Sequence, residues 1–181
     1  MFIADVISTS SAENELVLWH NQGGLNFTKN IIDNTASLIS SSDVVDFNND
    51  GLNDIIVSTY QFGDGKVYLY SNEGNLNFTK SILLDVTGVQ KVIVEDVNND
   101  GYFDLLYTRP ASSNGQVFAY INDGNGNFTS QFLATIEDWL VVIAYLDVNN
   151  DGYKDLITDK PNADTTFYFQ NDGNLNFTKI T

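Results

Sequence analysis

The stretch Asp46-Phe-Asn-Asn-Asp-Gly-Leu-Asn-Asp54 places four side-chain oxygen donors within nine residues, at positions 1, 3, 5 and 9 of the motif. The same pattern begins again at Asp96 and at Asp147. A second landmark, the triplet Asn-Phe-Thr, occurs four times, with its Phe at 27, 78, 128 and 177. Because two independent landmarks share one spacing of about 50 residues, the chain is built from tandem repeats.

Each repeat contains four short runs of β-branched and aromatic residues, separated by turns of Gly, Asn and Asp. In the second repeat these runs begin near Ser41 and continue at 54–60, 66–70 and 78–84. Such runs predict strands, and none has the length or the 3.6-residue period of a helix. Four antiparallel strands per unit predict the blades of a β-propeller, since one such sheet buries both faces only against neighbours. A β-solenoid, with shorter rungs, and a sandwich, which needs no strict period, are the alternatives.

The repeats predict an all-β chain that forms a single repeat domain over residues 1–181. The segment from Ile3 to Ile7 aligns with the segment from Leu52 to Ile56, so the first unit should lack its first strand and its Asp-rich loop. We therefore expect three complete four-stranded units and one three-stranded unit. Their approximate bounds are 1–35, 36–85, 86–135 and 136–181.

The repeat count leaves the assembly open. The chain could close alone as a small ring, form a partial or engineered piece that assembles with copies of itself, or belong to a longer protein. Self-assembly is favoured, because an open arc of blades exposes apolar faces that bind a partner. The simplest case is a homodimer with about eight blades.

Composition excludes several classes of function. The 181 residues carry 24 Asp and Glu against 8 Lys and Arg, a formal charge of -16, which argues against binding nucleic acid or an anionic membrane surface. Aromatics make up 13% of the chain, far too many for a disordered acidic tail. There is no cysteine and one histidine, which excludes disulfides and thiolate sites. No apolar run is long enough to insert into a membrane, and the start of the chain does not read as a signal peptide.

The Asp-rich loops predict metal sites. Side-chain oxygens at positions 1, 3, 5 and 9 and a backbone carbonyl at position 7 form an all-oxygen donor set, which favours Ca²⁺ over the stricter octahedron of Mg²⁺. We expect about three Ca²⁺ per chain, because nine carboxylates in three tight loops repel one another without a cation. The predicted ligands are Asp46, Asn48, Asp50, Leu52 and Asp54; Asp96, Asn98, Asp100, Tyr102 and Asp104; and Asp147, Asn149, Asp151, Tyr153 and Asp155.

The loops also allow two other interpretations. A helix-loop-helix calcium hand ends in Glu at position 12, where this chain has Val57, Tyr107 and Thr158, and the residues after position 9 indicate a strand. That interpretation is rejected. The other is a set of Asx turns without metal.

These residues also carry a family resemblance. The Asp-x-Asn-x-Asp-Gly-x-x-Asp loop, the strand that follows it and the later turn at 122–129 resemble FG-GAP/VCBS-type repeats. Such repeats build the calcium-binding β-propellers of integrin α-subunits, some fungal lectins and many secreted bacterial proteins. The resemblance covers essentially the whole chain and implies Ca²⁺ between the first and second strands of each blade. It does not identify a ligand.

Candidate ligand-binding residues are aromatic. Trp19, Tyr70 and Tyr120 align at one position of the third strand and could each provide a stacking platform, although packing between blades is the favoured interpretation. Trp139 lies in an acidic-aromatic segment unique to one junction. No separate acid pair suited to catalysis is present, so an enzyme is not expected.

The sequence therefore predicts an extracellular or cell-surface Ca²⁺-binding propeller module that recognises a glycan or a protein. The alternative is a purely structural or assembly module with no ligand other than Ca²⁺.

Overall fold

The computed structural model describes residues 5–10, 13–35, 38–60, 65–109, 114–136, 142–160 and 165–180. In these ranges every regular element is a β-strand, and the strands form four antiparallel sheets. One sheet has three strands and three sheets have four, which confirms the fold class predicted from the repeats.

The strands of each sheet follow one another in chain order, as an up-and-down meander. The first sheet consists of β1 (Val6–Ser10), β2 (Glu15–Gly23) and β3 (Asn26–Asp33). The second consists of β4 (Ile39–Val45), β5 (Asp54–Thr59), β6 (Lys66–Asn72) and β7 (Phe78–Asp85). The third consists of β8 (Lys91–Glu95), β9 (Asp104–Arg109), β10 (Gly115–Asn122) and β11 (Phe128–Ile136). The fourth consists of β12 (Val142–Leu146), β13 (Asp155–Lys160), β14 (Thr165–Asn171) and β15 (Phe177–Ile180).

The chain divides into two compact units, Met1–Gly88 and Val89–Thr181, each of which holds two sheets. In the first unit, apolar side chains of both sheets form one core cluster around Leu16, Ile55, Val57 and Tyr70. The residue from the first sheet, Leu16, is completely buried there. Two sheets packed face to face bury apolar surface that a single meander would leave in water.

The second unit has its own core cluster. It joins side chains of the third sheet, including Leu106, Val117 and Ile136, to Leu156 and Phe169 of the fourth. Leu106, Val117, Ile136 and Leu156 are completely buried.

Burial differs between strands of one sheet in a way that positions the Asp-rich loops. All six residues of β5 are buried, whereas most of β7 is exposed, so the second strand is covered on both faces and the fourth lies at the outer edge. The β-branched residues Ile55, Ile56 and Val57 of β5 suit a strand that is covered on both faces. The loop before β5 is therefore anchored at one end to the most buried strand of the sheet.

A charged cluster joins the two sheets of the first unit. The Asp33 carboxylate accepts hydrogen bonds from the Tyr70 hydroxyl at 2.7 Å and from Lys80 Nζ at 2.6 Å. Thr35 donates to the same carboxylate from its backbone N–H and its hydroxyl. Burial alone would raise the pKa of Asp33, but these donors outweigh it and hold the pKa well below its usual range.

We expect Asp33→Asn to lower the free energy of unfolding by about 2 kcal/mol at pH 7, because the change removes the charge that pairs with Lys80. The matched control is Asp85→Asn. Asp85 forms an ion pair with Lys66, and the Asp85 side chain is 59% exposed. That change should cost less than about 0.5 kcal/mol. Urea titrations of the three proteins give these differences.

The pH dependence of the Asp33 effect follows from the depressed pKa. The stabilisation is fully present above the ordinary Asp pKa of about 3.9 and is lost as the pH falls towards the lower folded-state pKa. The gap between wild type and Asp33→Asn should therefore shrink by about 1 kcal/mol between pH 6 and pH 3. A gap that stays constant or widens over this range would contradict the assignment of Asp33 as an ionised partner of Lys80.

Candidate metal centres

The three Asp-rich loops all lie between the first and second strands of a four-stranded sheet. Each loop begins directly after β4, β8 or β12, and each position-9 aspartate is the first residue of β5, β9 or β13. The prediction that a strand follows position 9 is confirmed, and the helix-loop-helix hand is excluded.

The position-1 aspartate organises the loop from inside. Asp46 accepts hydrogen bonds from the backbone N–H groups of Asp50 at 3.0 Å and Gly51 at 2.9 Å. Asn49 and Gly51 have positive φ angles of 59° and 89°, which bring these N–H groups round to the carboxylate. Asp96 and Asp147 accept the corresponding bonds in the other two loops at 2.9–3.2 Å.

The side chains at positions 3 and 5 hydrogen-bond to each other. Asn48 accepts from the Asp50 N–H at 2.9 Å and donates its amide to Asp50 Oδ2 at 2.9 Å. The other oxygen of Asp50 accepts from the Leu52 N–H at 2.8 Å. Both side chains are exposed, and the same three bonds recur in the loops at 96–104 and 147–155. Positions 1, 3 and 5 thus bring their oxygens together at the solvent edge of the sheet.

The position-9 aspartate differs from the other three donors because it is completely buried in every loop. One oxygen of Asp54 accepts from the Phe47 N–H at 3.1 Å, and the other accepts from the Asn72 N–H at 2.8 Å. Asp104 and Asp155 repeat both bonds. Burial raises the pKa of Asp54 and of Asp104, while the backbone donors oppose the rise. This residue ties the start of the loop to the end of the third strand.

The chemistry and arrangement of these donors can be compared with what a metal ion requires. All the side-chain donors are oxygens, as a hard cation requires, and each carboxylate oxygen that accepts one N–H keeps a second lone pair. In the described part of the chain, however, no group of three or more His, Cys, Asp or Glu side chains lies in a metal-holding arrangement. The carboxylates accept hydrogen bonds from backbone N–H groups instead. The residue types fit Ca²⁺, and metal binding itself stays a prediction.

A contact that sequence reasoning missed joins each loop to the turn between the third and fourth strands. The side chain at position 7 lies over a turn glycine: Tyr102 over Gly124 and Tyr153 over Gly173. A Cβ at Gly173 would lie 2.6 Å from the Tyr153 ring, and one at Gly124 would overlap the Tyr102 ring. The position-7 residue, whose carbonyl is a predicted ligand, is thereby held through its side chain.

The same turn also bonds to the loop through an asparagine. Asn122 accepts from the Gly124 N–H at 3.0 Å and donates its amide to the Phe103 carbonyl at 3.2 Å. The triplet Asn-x-Gly occurs at the end of the next-to-last strand in all four repeats, and that recurrence is the signal that could have revealed the link. The four asparagines are Asn21, Asn72, Asn122 and Asn171.

In the first sheet, Asp5 takes the place of the position-9 aspartate and keeps part of this hydrogen-bond network. The Asn21 N–H donates to Asp5 Oδ1 at 2.8 Å, as the corresponding asparagines do in the other sheets. His20 Nδ1 lies 3.1 Å from the same oxygen. The aspartate of this sheet is exposed, unlike its three buried counterparts.

The aromatic candidates for ligand binding differ in exposure. Tyr70 is only 1% exposed and its hydroxyl bonds to Asp33, so its ring faces are occupied by the core of the first unit. Trp19 is half-buried and donates from Nε1 to Ser8 at 2.8 Å, while Tyr120 stacks on Phe128 with ring centroids 4.8 Å apart. Trp139 lies outside the described residues.

Two clefts adjoin the loops. In the first unit a cleft of about 570 Å³ is lined by residues of both sheets, among them Asp5, Ile7, Asn53, Asn75 and Phe78. In the second unit the corresponding cleft is about 230 Å³ and is lined by Glu95, Asp96, Tyr145, Tyr153 and Lys154 among others.

Comparison with known proteins identifies the repeat. A family model described as FG-GAP-like repeat matches three overlapping segments, residues 3–57, 46–107 and 96–158, which together span most of the chain. The chain belongs to the FG-GAP-like repeat family. The second and third segments begin at Asp46 and Asp96, the first residues of two Asp-rich loops, so the family pattern and the motif describe the same period.

The family assignment supports a propeller-type module. FG-GAP repeats are typically extracellular and generally non-enzymatic. No curated protein matches the chain. In the ranges that the structure describes, no helix is long and apolar enough to cross a membrane.

The contact between Tyr102 and Gly124 gives a direct test of the link between turn and loop. We expect Gly124→Ala to destabilise the protein by about 2–4 kcal/mol, because it adds a left-handed alanine and a clash with the ring. The matched control is Gly126→Ala, since Gly126 has a φ of 84° but its Cβ would have no neighbour within 4 Å. That change should cost only about 1–2 kcal/mol. Equal losses in thermal denaturation of the two variants would show that the ring contact contributes nothing.

Proposed function

We propose that this protein is a Ca²⁺-binding, propeller-type module for extracellular recognition of a glycan or a protein, with one Ca²⁺ in each Asp-rich loop. The observation that carries the proposal is the threefold repetition of one loop geometry. In each copy, backbone N–H groups hold the side chains at positions 1, 3 and 5 together at an exposed edge.

Electrostatics supports a cation in these loops. Each loop concentrates three carboxylates within nine residues of a chain whose formal charge is already -16. Like charges at such short spacing repel one another, and a bound cation offsets that repulsion. Three Ca²⁺ would reduce the formal charge to about -10, by neutralising six of the 16 excess negative charges.

Calcium fits better than magnesium on the chemistry of the donors. Carboxylates, an amide oxygen and a backbone carbonyl are the ligands that Ca²⁺ takes in flexible coordination, whereas Mg²⁺ demands a near-ideal octahedron. When bound, the ion would supply positive charge and further cross-links within the loop. Positions 1, 3, 5 and 7 would hold it from the exposed side, and the buried position-9 aspartate would do so from the strand.

The cleft in the first unit supports a recognition role. Its volume of about 570 Å³ lies within the range of sites that bind small molecules. Its lining combines hydrogen-bonding side chains, such as Asn53 and Asn75, with the apolar Ile7 and Phe78. Gly51 and Leu52 of the first Asp-rich loop form one wall. A metal ion in that loop would therefore fix part of the cleft.

Assembly as a homodimer is part of the same proposal. Several apolar side chains are exposed in the single chain, including Val6 and Val44 on the first strands of their sheets, at 49% and 46%. Native mass spectrometry with calcium measures the copy number and the metal count in one experiment. A clean monomer would contradict self-assembly without affecting the metal sites.

Calcium should stabilise the protein by mass action. Extracellular modules bind Ca²⁺ with a Kd of roughly 10⁻⁴–10⁻³ M, and calcium at ten times Kd adds about 1.4 kcal/mol per site. We expect the melting temperature to fall when a chelator replaces calcium, and to recover when calcium but not magnesium is restored. Identical melting in calcium and in chelator would remove the metal hypothesis.

Substitution of one loop carboxylate should remove one ion. Asp100→Ala deletes the position-5 donor of the middle loop, so native mass spectrometry should find about two Ca²⁺ per chain instead of three. The matched control is Asp85→Ala, which removes an exposed carboxylate outside the loops and should leave three. A metal count that does not distinguish the two variants would contradict this assignment of ligands.

A glycan array separates recognition from the purely structural alternative. Wild-type protein in calcium should bind a defined set of glycans, and binding should fall in chelator because Leu52 and its loop lose their fixed position. Asn53→Ala, inside the cleft, should weaken binding, whereas Asn114→Ala, at an exposed site in the second unit, should not. An array with no bound glycan in calcium would contradict glycan recognition and favour a module with no ligand other than Ca²⁺.

A further inference from the structure

The three Asp-rich loops share their backbone contacts but not the side chains that approach them from the neighbouring strand. In the fourth sheet, the Tyr168 hydroxyl donates a hydrogen bond to Asp155 Oδ2 at 3.0 Å and also lies within hydrogen-bonding reach of Asn149. Gln170, two residues further along β14, has its side-chain amide near the Asp151 carboxylate. Residues two apart on a strand point to the same face, so both side chains reach the loop together.

The corresponding side chains of the second and third sheets do not make these bonds. Tyr168 pairs with Ile157 across the strands, and the residues in that register are Leu69 opposite Ile56 and Ala119 opposite Leu106. Neither side chain has a polar atom. The residues equivalent to Gln170, which directly precede the turn asparagine, are Ser71 and Ile121.

We infer that Tyr168 and Gln170 are positioning residues that make the loop at 147–155 the tightest of the three cation sites, so that it fills first. The inference rests on the proposed function, since it ranks sites whose metal binding is itself proposed. Side chains that hydrogen-bond to metal-binding carboxylates fix the orientation of those carboxylates, and their loss typically lowers metal affinity 10- to 100-fold. In the first and middle loops, the described side chains at these two positions make no hydrogen bond to a loop carboxylate.

Two effects oppose tighter cation binding at this loop. A donor to a carboxylate partly satisfies its charge before the metal arrives, which lowers the gain from binding. Together with the Val148 and Asn171 N–H groups, the hydroxyl takes three of about four acceptor positions of Asp155, and one position on Oδ1 stays available to a metal ion. The hydroxyl also spares the metal the entropy of ordering that side chain. The second effect is Lys154 at position 8, whose positive charge would oppose a cation. Its Nζ forms an ion pair with the Glu95 carboxylate at 2.7 Å, so the two side chains together add no net charge beside the loop.

Three variants, each with one intact loop, isolate the sites. Asp→Asn at position 5 disables a loop with little change in volume, so the pairs Asp50 and Asp100, Asp50 and Asp151, and Asp100 and Asp151 are substituted in turn. Isothermal titration with CaCl₂ then gives one Kd for each loop. The Kd of the loop at 147–155 should be about tenfold lower than that of either other loop.

The role of the positioning residues is tested in the variant that keeps the loop at 147–155. There, Tyr168→Phe should raise the Kd about tenfold, and Gln170→Ser, which installs the residue of the second sheet, should also raise it. The matched control is Tyr120→Phe in the variant that keeps the middle loop, since Tyr120 stacks on Phe128. This control should leave that Kd unchanged. Melting in chelator measures separately the stability that the hydroxyl bond to Asp155 contributes without metal, while the Kd of the folded protein reports on the metal site.

The outcomes separate the two levels of the argument. Heat of binding absent from all three single-loop variants would refute metal binding itself. Binding with equal Kd in all three loops, or a Tyr168→Phe variant with unchanged Kd, would overturn the ranking and leave metal binding intact.

Discussion

The buried aspartate at the start of each second strand is the constraint on which the rest of each repeat depends. Asp54, Asp104 and Asp155 are completely buried, and a buried carboxylate without donors costs several kcal/mol. Each one is satisfied only when the loop start and the end of the third strand both supply an N–H. Strand pair, loop and turn therefore form together. The residue that supplies the second N–H lies 16 or 18 residues after the aspartate and is an asparagine, whose side chain bonds to the loop carbonyl at position 8 and to the N–H of the turn glycine.

The turn chemistry of the loops and their cation chemistry use the same side chains without being alternatives. In the loop at 46–54, N–H bonds to Asp46 and Asp50 take one lone pair of each oxygen and fix the direction of the others. Such a network of Asx turns would serve as the scaffold of a metal site, because it gathers the carboxylates before any ion is present. The repulsion that this gathering creates is what a bound cation would relieve.

The repeat pattern predicted the parts of the structure that depend on local spacing. The strands that follow position 9, the four-stranded sheets and the three-stranded first sheet could all be predicted, since alternation and turn residues determine them. The ring contact between Tyr102 and Gly124 and the cluster around Asp33 could not, because they join segments 22 and 47 residues apart in contacts that leave no local pattern. Alignment correctly placed Tyr70 and Tyr120 at one strand position. It could not show that only Tyr70 is buried, because exposure depends on which residues the neighbouring sheet supplies.

Repeats of one family can keep a fold and still diverge in chemistry because the two are carried by different donors. The contacts that recur in every loop come mainly from backbone N–H groups, which substitution leaves in place. The contacts that differ come from side chains on the third strand, such as Tyr168, Gln170 and, in the first sheet, His20. These positions face the loop without joining the repeated backbone network. A substitution there changes the surroundings of a carboxylate at little cost to the sheet, so selection can set the properties of each loop separately while the repeated framework stays the same.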